Sequence, residues 1–188
     1  MSETLKVEID ASAALDAMRE LSPEMMDRAW RRALRKTGVW IKSQTAKAVS
    51  KETKIPQKVL RARINYYSKW NATGKVWLGL NPLEAHKIAY GQAHNAGKGV
   101  TVGRNRFPGA WMMPVYAGKS GQRRYTGKEI VMQRIGKSRL PIEKVMFDWE
   151  QSGRKSLEIV SERVKERLMV ILEQEVNYEI QKAIGNAK

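Results

Sequence analysis

The chain has 188 residues and carries 35 Lys plus Arg against 19 Asp plus Glu, a formal charge of +16. No cysteine occurs, which excludes a disulfide framework, any thiolate metal site and a cysteine nucleophile. The longest aliphatic run, Leu168 to Leu172, is far short of the ~20 residues that a bilayer span needs, and the opening MSETLKVEID lacks the pattern of a secretory signal, so no membrane partner is expected.

The charge is unevenly placed. Residues 28–64 hold 12 basic side chains against Glu52 alone, and residues 97–144 hold 11 against Glu129 and Glu143. Residues 1–27 are net acidic, with 7 acidic against 2 basic side chains, and residues 145–188 are nearly balanced. Two basic blocks between acidic or balanced ends point to an anionic partner or to association of unlike surfaces.

In chain order, Thr4 to Ile9 alternates Leu5, Val7 and Ile9 with Lys6 and Glu8, the period of a half-buried strand. Asp10 or Ser12 caps a short helix through Leu21. Ser22-Pro23-Glu24 then starts a long amphipathic helix over about 22–50: a hydroxyl cap, proline at the first helical position and an acid in the first turn. Met26, Trp30, Ala33, Leu34, Thr37, Ile41 and Ala48 share one face, and Arg28, Arg31, Arg32, Arg35 and Lys42 gather on the opposite one. Pro56 opens another helical turn through Val59, Leu60 and Ala62.

Residues 63–80, rich in aromatic and β-branched side chains around a turn at Asn71 to Gly74, read as a hairpin. Tyr66, Tyr67, Trp70 and Trp77 in it suit core or interface packing better than base stacking. Leu83 to Ala93 reads as a short helix or loop, and Gly97 to Gly109 as a loop with a short strand around Val100 and Val102. Residues 117–127, with three glycines and no apolar pattern, read as a flexible basic loop. Glu129 to Ile135 and Leu140 to Phe147 form a second hairpin, joined at Gly136-Lys137-Ser138. A long C-terminal helix over about 153–184 follows, with Leu157, Val160, Val164, Leu168, Ile171 and Leu172 at spacings of three and four. These elements predict a single α+β domain over 1–188, a mixed or antiparallel sheet packed with two long helices.

Catalytic chemistry finds little support, and no enzyme is expected. His86 and His94 lack the further ligands of a zinc site. Gly118-Lys119-Ser120 and Gly136-Lys137-Ser138 spell the end of a phosphate loop, but the earlier glycine that the motif requires is absent, at Met113 and Val131. Glu52-Thr53-Lys54 matches a nuclease E-x-K without the convergent carboxylates that metal-assisted cleavage needs. No cofactor is implied.

Two segments carry a likeness. Residues 102–111 (VGRNRFPGAW) and 131–142 (VMQRIGKSRLPI), with the basic stretch Glu52-Thr53-Lys54 and 58–63 upstream, resemble the bacteriophage minor tail protein Z family over about 22–185. The resemblance implies a structural virion protein that completes the head-proximal end of a tail. It also implies a part in head-to-tail joining, as a ring around the DNA channel that positions the genome for ejection. It is similar in organisation to the ring-forming tail terminators, which implies six copies. The partners would be a tail terminator or tube protein, head-tail connector proteins and genomic DNA held without sequence specificity, in a virion assembled in the bacterial host cytoplasm. On this reading Lys119, Arg123, Arg124 and Lys128 face DNA phosphates, and Arg28, Arg31, Arg32, Arg35, Arg134, Lys137 and Arg139 meet a neighbouring subunit or ring. The alternative is a sequence-nonspecific nucleic-acid-binding protein outside any virion, whose affinity falls steeply with salt.

Overall fold

The computed structural model describes residues 22–68, 73–88, 93–118 and 123–186. The expected first strand and short helix, the turn residues Asn71 and Ala72, Trp70 and Lys119 lie outside the described residues.

Helix α1 (Pro23–Thr53) is about 46 Å long at 1.5 Å per residue. Its start follows the Ser22-Pro23 signal, with one difference. Ser22 accepts the amide hydrogens of Met25 and Met26 on its backbone carbonyl, at 2.9 and 3.2 Å, and its hydroxyl makes no cap bond. At the other end Lys54 takes the left-handed conformation (φ 62°) and donates its amide to the Ser50 carbonyl at 3.0 Å. Pro56, which has no amide hydrogen, then stops further propagation. The E-x-K sequence is thus the closing turn of a helix. A single turn, α2 (Gln57–Arg61), follows.

Among the described residues, ten strands form four small sheets with antiparallel pairing throughout, in place of one larger sheet. β1 (Ile64–Ser68) pairs with β2 (Gly74–Leu78), the predicted aromatic hairpin. Tyr66 of β1 lies across α1 at Gly38, where a Cβ would stand 2.4 Å from its ring, so only glycine admits this approach in mid-helix. β3 (Leu83–Glu84) leads through a 3₁₀ turn (Ala85–Lys87) towards β4 (Ala93–Asn95). β4, β5 (Gly99–Val102) and β6 (Asn105–Pro108) form a three-stranded sheet where the sequence showed only a loop with a short strand. β7 (Trp111–Ala117), β8 (Arg124–Arg134) and β9 (Ile142–Lys144) form the other three-stranded sheet, and β10 (Met146–Phe147) returns to pair with β3. The predicted basic loop is shorter than expected, since Ala117 belongs to β7 and Arg124 to Gly127 belong to β8.

The expected single C-terminal helix is two helices, α3 (Glu150–Glu162) and α4 (Val164–Asn186), interrupted at Arg163. The Arg163 amide reaches back three residues to the Val160 carbonyl at 3.2 Å, a local tightening of the helical turn.

Two apolar clusters form among the described residues. The larger joins Ile41 and Val49 of α1 to Leu60, Ile64, Leu78, Leu83, Val100, Val102, Val131, Trp149, Leu157 and Val160. The smaller is a seam between the first half of α1 and α4, where Ala29 and Ala33 meet Leu168, Ile171, Leu172 and Val176. Small side chains on α1 let α4 approach closely, and each fully buried leucine contributes about 2 kcal/mol.

Candidate functional site

The basic residues singled out in the sequence fall into two environments. The first is the α1–α4 seam. Arg28, Arg32 and Lys36 follow one another at intervals of four along α1, and Glu175 and Glu179 stand four apart on α4. Arg32 Nε donates to Glu175 Oε2 at 2.6 Å and its Nη2 to Glu179 Oε1 at 2.5 Å. Arg28 Nε donates to Glu179 Oε2 at 3.1 Å, and Lys36 pairs with Glu175. The two carboxylate side chains are only 5% and 2% exposed. Burial would raise the Glu175 carboxyl, but hydrogen bonds from Lys36 and Arg32 outweigh it and hold it below the usual carboxylate range. The Arg32 hydrogen bond does the same for Glu179.

Arg28 and Arg32 therefore border the buried seam instead of lying opposite it, a correction to the two-sided reading of the helix. They are engaged within their own chain. Arg31 pairs with Asp27 at 2.7 Å, and Arg35 is exposed. Glu175 and Glu179 escaped the sequence reading, although a signal existed. They occupy the apolar stripe of α4 with Leu168, Ile171 and Leu172, and acids in such a stripe require cationic partners.

The second environment is the β7–β8–β9 sheet. From Arg124 to Glu129, six consecutive residues of β8 are exposed, so both faces of the strand meet solvent and the end of the β7–β8 hairpin forms an arm. Register pairs Val115 with Lys128 and Tyr116 with Tyr125, leaving Thr126 and Gly127 as a bulge. Gly127 supplies the positive φ (73°) that the bulge uses, and Thr126 Oγ1 donates to the Val115 carbonyl at 2.8 Å. The Tyr116 and Tyr125 rings meet at 5.9 Å between centroids and are each about half exposed.

Arg123, Arg124 and Lys128 lie on this arm, exposed and without an ion pair to any described residue. Arg134, at the far end of β8, lies over the Trp111 ring at 5.7 Å from its centroid. Lys137 and Arg139 occupy the exposed connection to β9 beside Ile135 and Leu140, which are 61% and 67% exposed. The sheet thus gathers Arg123, Arg124, Lys128, Arg134, Lys137 and Arg139.

Beneath the arm lies an open groove of about 470 Å³ lined by His86, Lys87, Ala93, Met112, Tyr125, Gly127, Lys128 and Glu129. Glu84 beside it pairs with Lys87 at 3.0 Å and Lys144 at 3.2 Å. Burial would raise its carboxyl, yet these lysines hold it low, while burial lowers the His86 imidazole. Among the described residues no three His, Asp or Glu side chains come together to hold a metal, and no helix is long and apolar enough to cross a membrane.

The described surface of the β7–β8–β9 sheet offers cationic contact. Comparison with known sequences matches residues 10–186 to the prophage minor tail protein Z family. No curated protein and no solved structure matches the chain.

Proposed function

We propose that this chain, which belongs to the prophage minor tail protein Z family, completes the head-proximal end of the tail as a ring around the DNA channel and takes part in joining head to tail. Its role is structural, in a phage tail, and it is a virion component. The single observation that carries the reading is the family match over residues 10–186.

The arm supports the finer assignment on physical grounds. A ring around duplex DNA needs affinity that ignores sequence, and Lys and Arg facing phosphates supply it. Arg123, Arg124 and Lys128 have no carboxylate partner among the described residues, unlike Arg28 and Arg32. In this reading the arm of each copy, with Lys119, faces the channel. Arg31, Arg35, Arg134, Lys137 and Arg139 meet a neighbouring subunit or the adjacent ring of terminator, tube or connector protein. Arg28 and Arg32 can join such a contact only through the faces that their glutamates leave open. Six copies of one 188-residue domain, related by rotation, close the ring.

Native mass measurement of the recombinant protein, with mass spectrometry of purified tails, tests the proposal. Closed multimers, and the chain present in tails, are expected. A monomer at every concentration would refute the ring, and tails lacking the chain in a phage that carries its gene would refute the virion role. Salt-sensitive DNA binding by a chain missing from tails would instead favour a free nucleic-acid-binding protein.

A further inference from the structure

The second half of α1 and the short α2 gather cations of their own. Residues 42–63 hold seven Lys and Arg side chains against Glu52 alone. Ser43, Lys47 and Lys51 recur every fourth residue of α1 and form one row about 12 Å long. Lys54 closes the row, its ammonium donating to the Lys51 carbonyl at 2.6 Å. Arg61 of α2 folds back to the start of the row, where Nη2 donates to Ser43 Oγ at 3.4 Å and to Gln57 Oε1 at 3.1 Å. Lys47, Lys51, Lys54 and Arg61 are all exposed. The acceptors that Lys54 and Arg61 use are neutral, and none of the four cations has an ion pair among the described residues.

Other helical faces of the chain treat their cations differently. Arg31 pairs with Asp27 and Arg154 with Glu150, each across one turn, and Arg28, Arg32 and Lys36 meet Glu175 and Glu179. On the row the same four-residue step joins Lys47 to Lys51, a like-charge pair that weakens a helix. The helix dipole favours Lys51 and Lys54 at the closing turn, but its influence fades within that turn and does not reach Lys47.

Composition decides which anion the row fits. From Trp40 to Tyr66 no large apolar side chain is exposed, although Val39 and Tyr67 just outside are 61% and 55% exposed. A protein interface is anchored by aromatic and aliphatic side chains and is depleted in lysine, so an acidic protein surface suits this face poorly. A phosphate backbone asks for Lys, Arg and hydroxyl donors, and the row supplies them, with Ser43 and Ser50 beside the cations.

We infer that the row from Ser43 to Lys54, with Arg61, is a second binding surface for the phosphate backbone of duplex DNA, on different elements from the β7–β8 arm. It deepens the DNA-channel reading and rests on it for the partner. A duplex carries about seven phosphate charges per 12 Å of its axis, enough for each of the four cations to face its own.

Duplex binding by the full-length chain, titrated against salt, tests the inference. Lys47→Gln, Lys51→Gln and Arg61→Gln together should lower the log–log slope by about 2.7, equally on two duplexes of unrelated sequence, at 0.9 per lost contact. Lys47→Gln alone should lower it by about 0.9, whereas Lys47→Arg, Lys51→Arg and Arg61→Lys together should preserve it. The thermal midpoint of the glutamine variant should hold or rise, since like charges are removed. An unchanged slope in that variant would overturn the inference, and a fall in the slope with Arg123→Ala, Arg124→Ala and Lys128→Ala would then leave the arm as the DNA contact. Polyglutamate bound by the wild-type chain as tightly as the duplex, and released by the glutamine variant, would overturn it in favour of an acidic protein partner. A wild-type chain that binds no duplex at low salt would remove both DNA surfaces, while native mass would still decide the ring.

Discussion

The α1–α4 seam and the β7–β8 arm both carry dense positive charge and treat it in opposite ways. On the seam, Arg28, Arg32 and Lys36 meet Glu175 and Glu179, whose carboxylates are nearly inaccessible. On the arm, Arg123, Arg124 and Lys128 meet no carboxylate among the described residues and sit on a strand exposed on both faces. Net charge alone does not distinguish them. The difference is burial, because a carboxylate taken out of water must be paired, while an exposed arginine pays no such penalty and stays available to an outside partner.

That contrast can be broken most strongly at the seam's apolar centre. Leu172→Ala removes a fully buried side chain between α1 and α4 and should lower stability by about 3 kcal/mol in urea denaturation. Next comes Arg32→Ala, which strips a partner from both buried glutamates and should cost about 2 kcal/mol by the same measurement. If it is neutral, the seam's charges are no more committed than the arm's.

Acid should loosen the seam. Glu175 and Glu179 hold their charge to lower pH in the folded chain than in the unfolded one, since their carboxyls are held low. Their contribution is thus complete above the unfolded value of about 4.3 and is lost as pH falls through the folded values. Amide exchange over Leu168–Ile180 should accelerate in that window before exchange at Val100 and Val102 does.

The smallest stability effect belongs to the arm. Arg123→Ala, Arg124→Ala and Lys128→Ala together should change stability by no more than about 0.5 kcal/mol. The same triple variant should reduce the salt dependence of DNA binding by about 2.7 in log–log slope, at 0.9 per lost phosphate contact. A large stability loss with an unchanged slope would reverse the contrast.

The two regions also differ in how far the sequence disclosed them. The start of α1 was legible because Ser22-Pro23-Glu24 is a local signal, and its helical period continued past Ser50 to Thr53. The aromatic hairpin was legible from its β-branched and aromatic content. The part of the arm's strand before Glu129 was not, because Arg124 to Lys128 faces solvent on both sides and so lacks the alternation that burial of one face imposes. Its extended shape comes from pairing with Trp111 to Ala117. The partners of Arg28 and Arg32 were hidden for another reason. Each lies more than 140 residues away in sequence, and only the packing of α4 on α1 brings them together. The break at Arg163 has no proline or glycine to announce it.

Electron cryomicroscopy of purified tails carrying this chain tests the central claim most directly. The account predicts Arg28 and Arg32 turned inward on Glu175 and Glu179 in every copy, with Arg123, Arg124 and Lys128 within reach of channel phosphates or an adjoining copy. Arms standing free in solvent, remote from DNA and from every neighbour, would contradict it.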